Sequence, residues 1–192
     1  MVNQLEVYQY LLDTLLGFNM SGIINATNLE VANIKDSTGT NTAMTIDSSG
    51  RVFQPTKPMM SVRGQSNSTA NSTAYANFIE VTAWSVTDVN IGNCLSNGRF
   101  VAPVTGNYHL AVYSHRGTST DYRGIFMFVY NGSSYTGLLN AYAGNDYKGY
   151  TIGGSLIYPL TAGHEVLVGW DNSFSNWNSE NDKSSFSCYL LG

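Results

Sequence analysis

The chain has 192 residues, 43% of them hydrophobic and only 11% charged, with a net charge of −4. That length fits one domain, or one domain with an appendage. No basic cluster is present to neutralise phosphate, which disfavours nucleic acid, and no apolar run reaches membrane-spanning length.

Gly, Tyr, Asn, Ser and Thr take the place of charge. Such a surface is polar but uncharged and suits extracellular or virion proteins. Cys94 and Cys188 are too few for a disulfide framework. Cys188 falls in a predicted strand, where a buried free thiol is the expected state. The first Lys or Arg is Lys35, so the start of the chain lacks the basic region of a secretory signal. With Met1 in place, assembly inside a cell is favoured over a signal already removed.

Residues 2–18 form the only stretch with helical spacing. Leu5, Tyr8, Leu12 and Leu15 alternate steps of three and four, as on a coiled-coil seam, and Gly17 is a plausible stop. Two heptads are unstable alone, so the seam needs sister chains, a docking groove or its own domain. Residues 1–18 are therefore expected to serve attachment or trimerisation, with Leu5, Leu12 and Leu15 at the contact.

Residues 19–58 read as short alternating pieces: Ile23-Ile24, Leu29-Val31-Ile34, Met44-Ile46 and Val52-Phe53. Asx, Gly and Ser turns separate them, and Pro55 and Pro58 close the segment. Such pieces cannot build a private core.

Residues 59–192 are expected to be all-β. The spacing predicts strands over 59–63, 77–84, 88–90, 99–102, 107–115, 124–130, 135–142, 149–158, 165–171 and 185–191. That density is expected of a double-sheet jelly roll. Residues 125–130 are apolar on both faces, whereas a sandwich strand should show one polar face. Cover by a second chain or by the loop 114–122 would explain this. Along 107–115, Tyr108, Leu110 and Val112 take one face, and His109, Ala111, Tyr113 and His115 take the other. That second face is aromatic rather than charged.

Three blocks carry a family resemblance. "GRFVAPVTGNYHLAV", starting at Gly98, resembles the central hairpin of the jelly roll shared by complement-type globular heads and tumour necrosis factors. "LTAGHEVLV", starting at Leu160, resembles that family's late hairpin. "SFSCYLL", starting at Ser185, resembles its last strand. Their order and spacing match over roughly Pro58 to Gly192. The resemblance implies an antiparallel jelly-roll sandwich that packs as a homotrimer through one sheet, with Tyr113, Tyr150, Tyr189 and Leu191 at the interface. More loosely, "NATNLEVANIKDSTGTNTAMTIDSSGRV" resembles the shaft-to-head segments of bacteriophage fibre proteins, in which three chains wrap around each other.

Catalytic signals are missing. There is no Gly-x-Ser-x-Gly elbow, His-Glu-x-x-His pair or phosphate loop. His109 and His115 lack an obvious third donor for a metal. Gly153-Gly154-Ser155 lies inside a strand pattern and reads as close backbone packing. Asp171, Glu180 and Asp182 offer oxygens for calcium, but a solvated loop is the preferred reading. The strongest recognition candidate is the loop 171–182, where Trp177 sits among Asp171, Asn176 and Asn178. An aromatic face with planar polar groups suits a sugar, whereas covering the sandwich end is the plain alternative for Trp177. Trp170 reads as core. A second loop, 142–148, adds Tyr147.

The expected protein is mainly β, with a short N-terminal helix, a β-rich neck and a jelly-roll head, homotrimeric. It is expected to have no catalytic activity, no cofactor and no metal. The expected role is a structural virion protein, made in the host cytoplasm: a bacteriophage fibre or spike head that displays a host-attachment surface. Its partners would be itself, other virion proteins through the N-terminal helix, and a host surface glycan. Two alternatives are a capsid decoration or baseplate fibre without a receptor, and a secreted trimeric ligand for a protein receptor. A depolymerase is disfavoured because no paired carboxylates stand out.

Overall fold

The computed structural model describes residues 33–35, 42–115, 123–143, 151–171 and 183–192. All of them belong to one compact unit, Asn33–Gly192. The helical stretch 2–18, with Leu5, Leu12 and Leu15, lies outside the described residues, as do Tyr147, Tyr150, Asn176, Trp177 and Asn178.

Three short strands come first: β1 (Asn33–Lys35), β2 (Thr42–Ile46) and β3 (Val52–Phe53), paired antiparallel in that order. They are the last pieces of the predicted neck. The β2–β3 turn is built by Asp47, whose Oδ1 accepts the N–H groups of Ser49 and Arg51, both at 2.9 Å. Gly50 supplies the positive φ, 76°. Those N–H bonds and the Arg51 guanidinium hold the Asp47 carboxyl below its ordinary range.

The head follows as β4 (Met59–Ala70), β5 (Phe78–Ile91), β6 (Leu95–Ser96), β7 (Arg99–Val101), β8 (Gly106–His115), β9 (Arg123–Tyr130), β10 (Tyr135–Ala143), β11 (Thr151–Leu160), β12 (Glu165–Asp171) and β13 (Ser184–Leu190). Hydrogen bonding runs β10-β9-β12-β5-β4-β13-β8-β11, every pair antiparallel. The β6–β7 hairpin attaches through β12. Two layers result, one of β10, β9, β12 and the start of β5, the other of β4, β13, β8 and β11. A shared core fills the space between them. It contains Ile125, Met127, Val166 and Val168 from the first layer, and Met60, Val62, Tyr108, Leu110, Phe186 and Cys188 from the second. This is the antiparallel sandwich expected from the alternation.

The β4–β5 hairpin is longer than predicted. The tail of β4, Gly64 to Ala70, is polar and shows no alternation, yet it pairs with β5 through several register shifts. Tertiary pairing overrides its weak strand propensity. For the same reason the predicted strands 77–84 and 88–90 are one continuous β5.

The two family-like blocks are not hairpins. β8 pairs with β13 and β11, and β12 with β9, β5 and β7, so each block crosses from one layer to the other. The crossings are stapled together. Ala102 N donates to His164 O at 2.9 Å, Gly163 N to Ala102 O at 2.8 Å, and Ala162 N to the Thr105 hydroxyl at 3.0 Å. Gly153 is required for close approach, because a Cβ there would collide with the Val112 carbonyl oxygen and lie 2.7 Å from Tyr113 Cα, backbone that cannot give way. Both cysteines are free and buried, and Trp170 is core, as expected.

Candidate functional site

On the outward face of the second layer, alternation brings one side chain from each strand into register. Ile157 of β11 sits opposite His109 of β8, His109 opposite Tyr189 of β13, and Tyr189 opposite Met59 of β4. The next row is small: Ser155, Ala111, Ser187 and Ser61. The row beyond holds Gly153, Tyr113, Ser185 and Arg63. Ile157 is 62% exposed, while Met59, Tyr113, Tyr189 and Leu191 lie between 36% and 41%. The His109 and Tyr189 rings sit 4.9 Å apart, and His109 Nδ1 is buried with no hydrogen-bond partner. Within these three rows charge enters at Arg63, whose Nε and Nη2 bond Asp88 at 2.6 and 2.8 Å. Arg63 holds the Asp88 carboxyl below its ordinary range. Two of the predicted interface residues, Tyr113 and Tyr189, therefore share one exposed face, whereas Leu191 lines a groove with Lys57, Pro58 and Val104. Ile157 and Met59, not singled out in the sequence, complete it; their place in the alternation with His109 and Tyr189 was the available signal.

The outward face of the first layer differs. Phe126 and Phe128 of β9 lie there with Phe78 and Leu167, all buried. Their cover comes from this chain. Tyr75, on the turn between β4 and β5, stacks on Phe126 at 5.2 Å, and Tyr142 meets it edge-on at 5.7 Å. Within one chain, then, the turn 71–77 and Tyr142 already cover part of the doubly apolar run 125–130, while residues 116–122 of the loop 114–122 lie outside the described residues. Beside Phe126 and Phe128 an apolar groove of about 320 Å³ opens where β10 bulges at Leu138.

Along the same outward face, Arg99 of β7 joins two carboxylates. Its Nε and Nη2 bond Glu80 at 2.5 and 2.8 Å, and its Nη1 bonds Glu165 Oε2 at 2.6 Å. Glu80 is 2% exposed and also accepts Asn71 Nδ2 at 2.7 Å. Burial alone would lower the Arg99 pKa, but its bonds to Glu80 and Glu165 outweigh that and raise it above its ordinary value. Sequence reasoning missed this cluster because its members lie far apart in the chain. The lone Glu80 within the apolar run Phe78-Ile79-Glu80-Val81 was the available signal, since a charge there needs a partner.

Of the predicted sugar site, only Asp171 is among the described residues. It ends β12 and is 4% exposed, so it stands at the root of the loop rather than on open surface. Among the described residues no group of His, Cys, Asp or Glu side chains has the arrangement of a metal site.

No protein-family model and no curated protein matches this chain. Solved structures do. With murine APRIL the TM-score is 0.56 at 14% identity, covering 70% of this chain and 98% of that one. The globular domain of zebrafish complement 1qA gives 0.52 at 12%, covering 71% and 98%. The Eiger TNF of S. frugiperda gives 0.53 at 13%, covering 71% and 93%. The head therefore has the jelly-roll fold of tumour necrosis factors and complement globular domains, as the three sequence blocks implied.

Proposed function

We propose that this chain is a non-enzymatic, homotrimeric display head of a virus particle, a bacteriophage fibre or spike. The single observation behind the trimer is the row Ile157, His109, Tyr189 and Met59, in which Ile157 is 62% exposed and Tyr189 37%. Large apolar and aromatic side chains left exposed side by side mark an interaction surface, and the neighbouring row of small side chains lets a second copy approach closely. The jelly-roll likeness supports the same sheet as the contact. The fibre reading rests on the neck, whose Asp47 turn and short strands suit a shaft-to-head junction. In this reading residues 1–18 dock to the particle through Leu5, Leu12 and Leu15, and the loop around Trp177 faces the host.

A second reading, a secreted trimeric ligand, is favoured by the likeness to APRIL and Eiger. Both readings need the trimer, so it is tested first. Sedimentation of the full chain at micromolar concentration should give three copies, and Ile157→Asp with Tyr189→Asp should give folded monomer, because each carboxylate would be stripped of water at the contact. A wild-type monomer would sink both readings. Cross-linking in purified particles then separates them. Links to other virion proteins support the fibre head, and absence from particles leaves the secreted ligand.

A further inference from the structure

The Arg99 cluster forms the floor of a second cleft. Its mouth is made by the β6–β7 hairpin, where Ser96 pairs with Arg99. The two residues between them, Asn97 and Gly98, have φ of 49° and 76°, the left-handed pair of a two-residue turn. The turn is pressed onto β5: a Cβ on Gly98 would lie 2.7 Å from Thr82 Cα, and Trp84 Nε1 donates to Gly98 O at 2.9 Å. Ser96 and Asn97 are thereby held beside Thr69 and Thr82. With the three charged groups they enclose about 290 Å³, and every lining side chain is polar. That is the small end of the range for ligand pockets, room for about one ring.

The chemistry is mixed and fixed. Glu80 accepts three bonds, two from Arg99 and one from Asn71, and the paired contact holds the guanidinium plane rigid. Three of the five Arg99 N–H groups bond the two carboxylates, so two remain for another acceptor. Arg99 takes Glu165 Oε2 and leaves Oε1 as an acceptor. Three hydroxyls and the Asn97 amide both donate and accept. Two carboxylates against one guanidinium leave one negative charge, and no lysine lines the cleft. A phosphate or acidic sugar is therefore disfavoured. A metal cation is also disfavoured, because both Glu80 oxygens are occupied and the guanidinium repels it. A staple of three strands needs only the ion pairs, not a hydroxyl-lined space above them.

We propose that this cleft binds a neutral pyranose, one ring of a surface glycan, through vicinal hydroxyls. Its attachment role rests on the display reading, but binding itself does not. The test titrates the full chain, by ligand-observed NMR, with methyl glycosides of galactose, glucose, mannose and N-acetylglucosamine, and with N-acetylneuraminic acid. At least one neutral sugar should bind with a Kd of about millimolar, and the acid should not. Asn97→Gly, which keeps the turn, Thr82→Val and Glu165→Gln should each weaken binding about tenfold while sedimentation stays unchanged. The proposal is overturned if no neutral sugar binds at tens of millimolar, if the acid binds equally well, or if binding survives all three changes. Binding lost in Trp177→Ala alone would also overturn it and assign the sugar to the loop. A wild-type monomer that binds sugar through Asn97 would overturn the trimer and leave the cleft standing.

Discussion

The two outward faces of the sandwich both carry large aromatic side chains, and these meet different fates. On the first layer Phe126 and Phe128 are buried within one chain, because the β4–β5 turn folds Tyr75 over them. On the second layer no turn among the described residues covers Tyr189, Tyr113 and Ile157, and they stay exposed. An apolar strand face thus says that cover is needed, not what supplies it. A turn of this chain covers one face, and the proposed sister copies cover the other.

The sharpest way to break this comparison is to hollow out the covered face. Phe126→Ala removes a side chain that is 3% exposed and touches Tyr75, Phe78, Phe128 and Tyr142. Losing such a buried ring costs about 3–5 kcal/mol. Urea unfolding of the isolated protein should show that loss. A loss below about 1 kcal/mol would mean that Phe126 is not the keystone of the cluster. Next comes the lid itself. Tyr75→Ala removes the stacked ring and should cost roughly 1–2 kcal/mol, since the ring is 41% exposed. It should leave the sedimentation of the chain unchanged. New association in that variant would show that the lid, not the strand, keeps this face from pairing.

How much of this was legible follows from where the signals lie. β12 is a continuous apolar run between two turns, and its predicted bounds, 165–171, match the structure. Tyr113 and Tyr189 could be grouped because the family resemblance put their strands side by side. The Tyr75 lid was not legible, because 71–77 reads as a polar turn and its packing depends on where β9 lies in space. The Arg99 cluster was hidden for the same reason: its partners are 19 and 66 residues away. The tail of β4 was missed because pairing, not pattern, makes it a strand. Pattern reports the needs of a face, whereas long-range geometry decides which residues meet them.

The smallest expected effect separates two regions of different burial, the edge of the open face and the core between the layers, by pH. At the edge of the open face, Arg63 holds Asp88 below its ordinary range, so the folded state prefers the carboxylate. That contribution is present above the unfolded carboxyl pKa of 3.8 and is lost as pH falls through the lower folded value. The pair is exposed, so the loss should be slight and should shrink further in salt. In the core the sign reverses. Burial pushes the Cys188 thiol well up, and those of Cys94 and the Tyr108 phenol less strongly. The thiol contribution is fully present below the unfolded value of 9.0 and is lost as pH rises above it, when the unfolded thiols ionise first; the phenol follows the same sign from its unfolded value of 10.0. Urea midpoints should therefore be flat near neutrality, fall above about pH 9, and dip only weakly in acid. Cys188→Ala should lower the midpoint at every pH and flatten the alkaline fall, whereas Asp88→Asn should leave that fall intact. If instead Asp88→Asn flattens the alkaline limb, the burial contrast between the two regions is wrong.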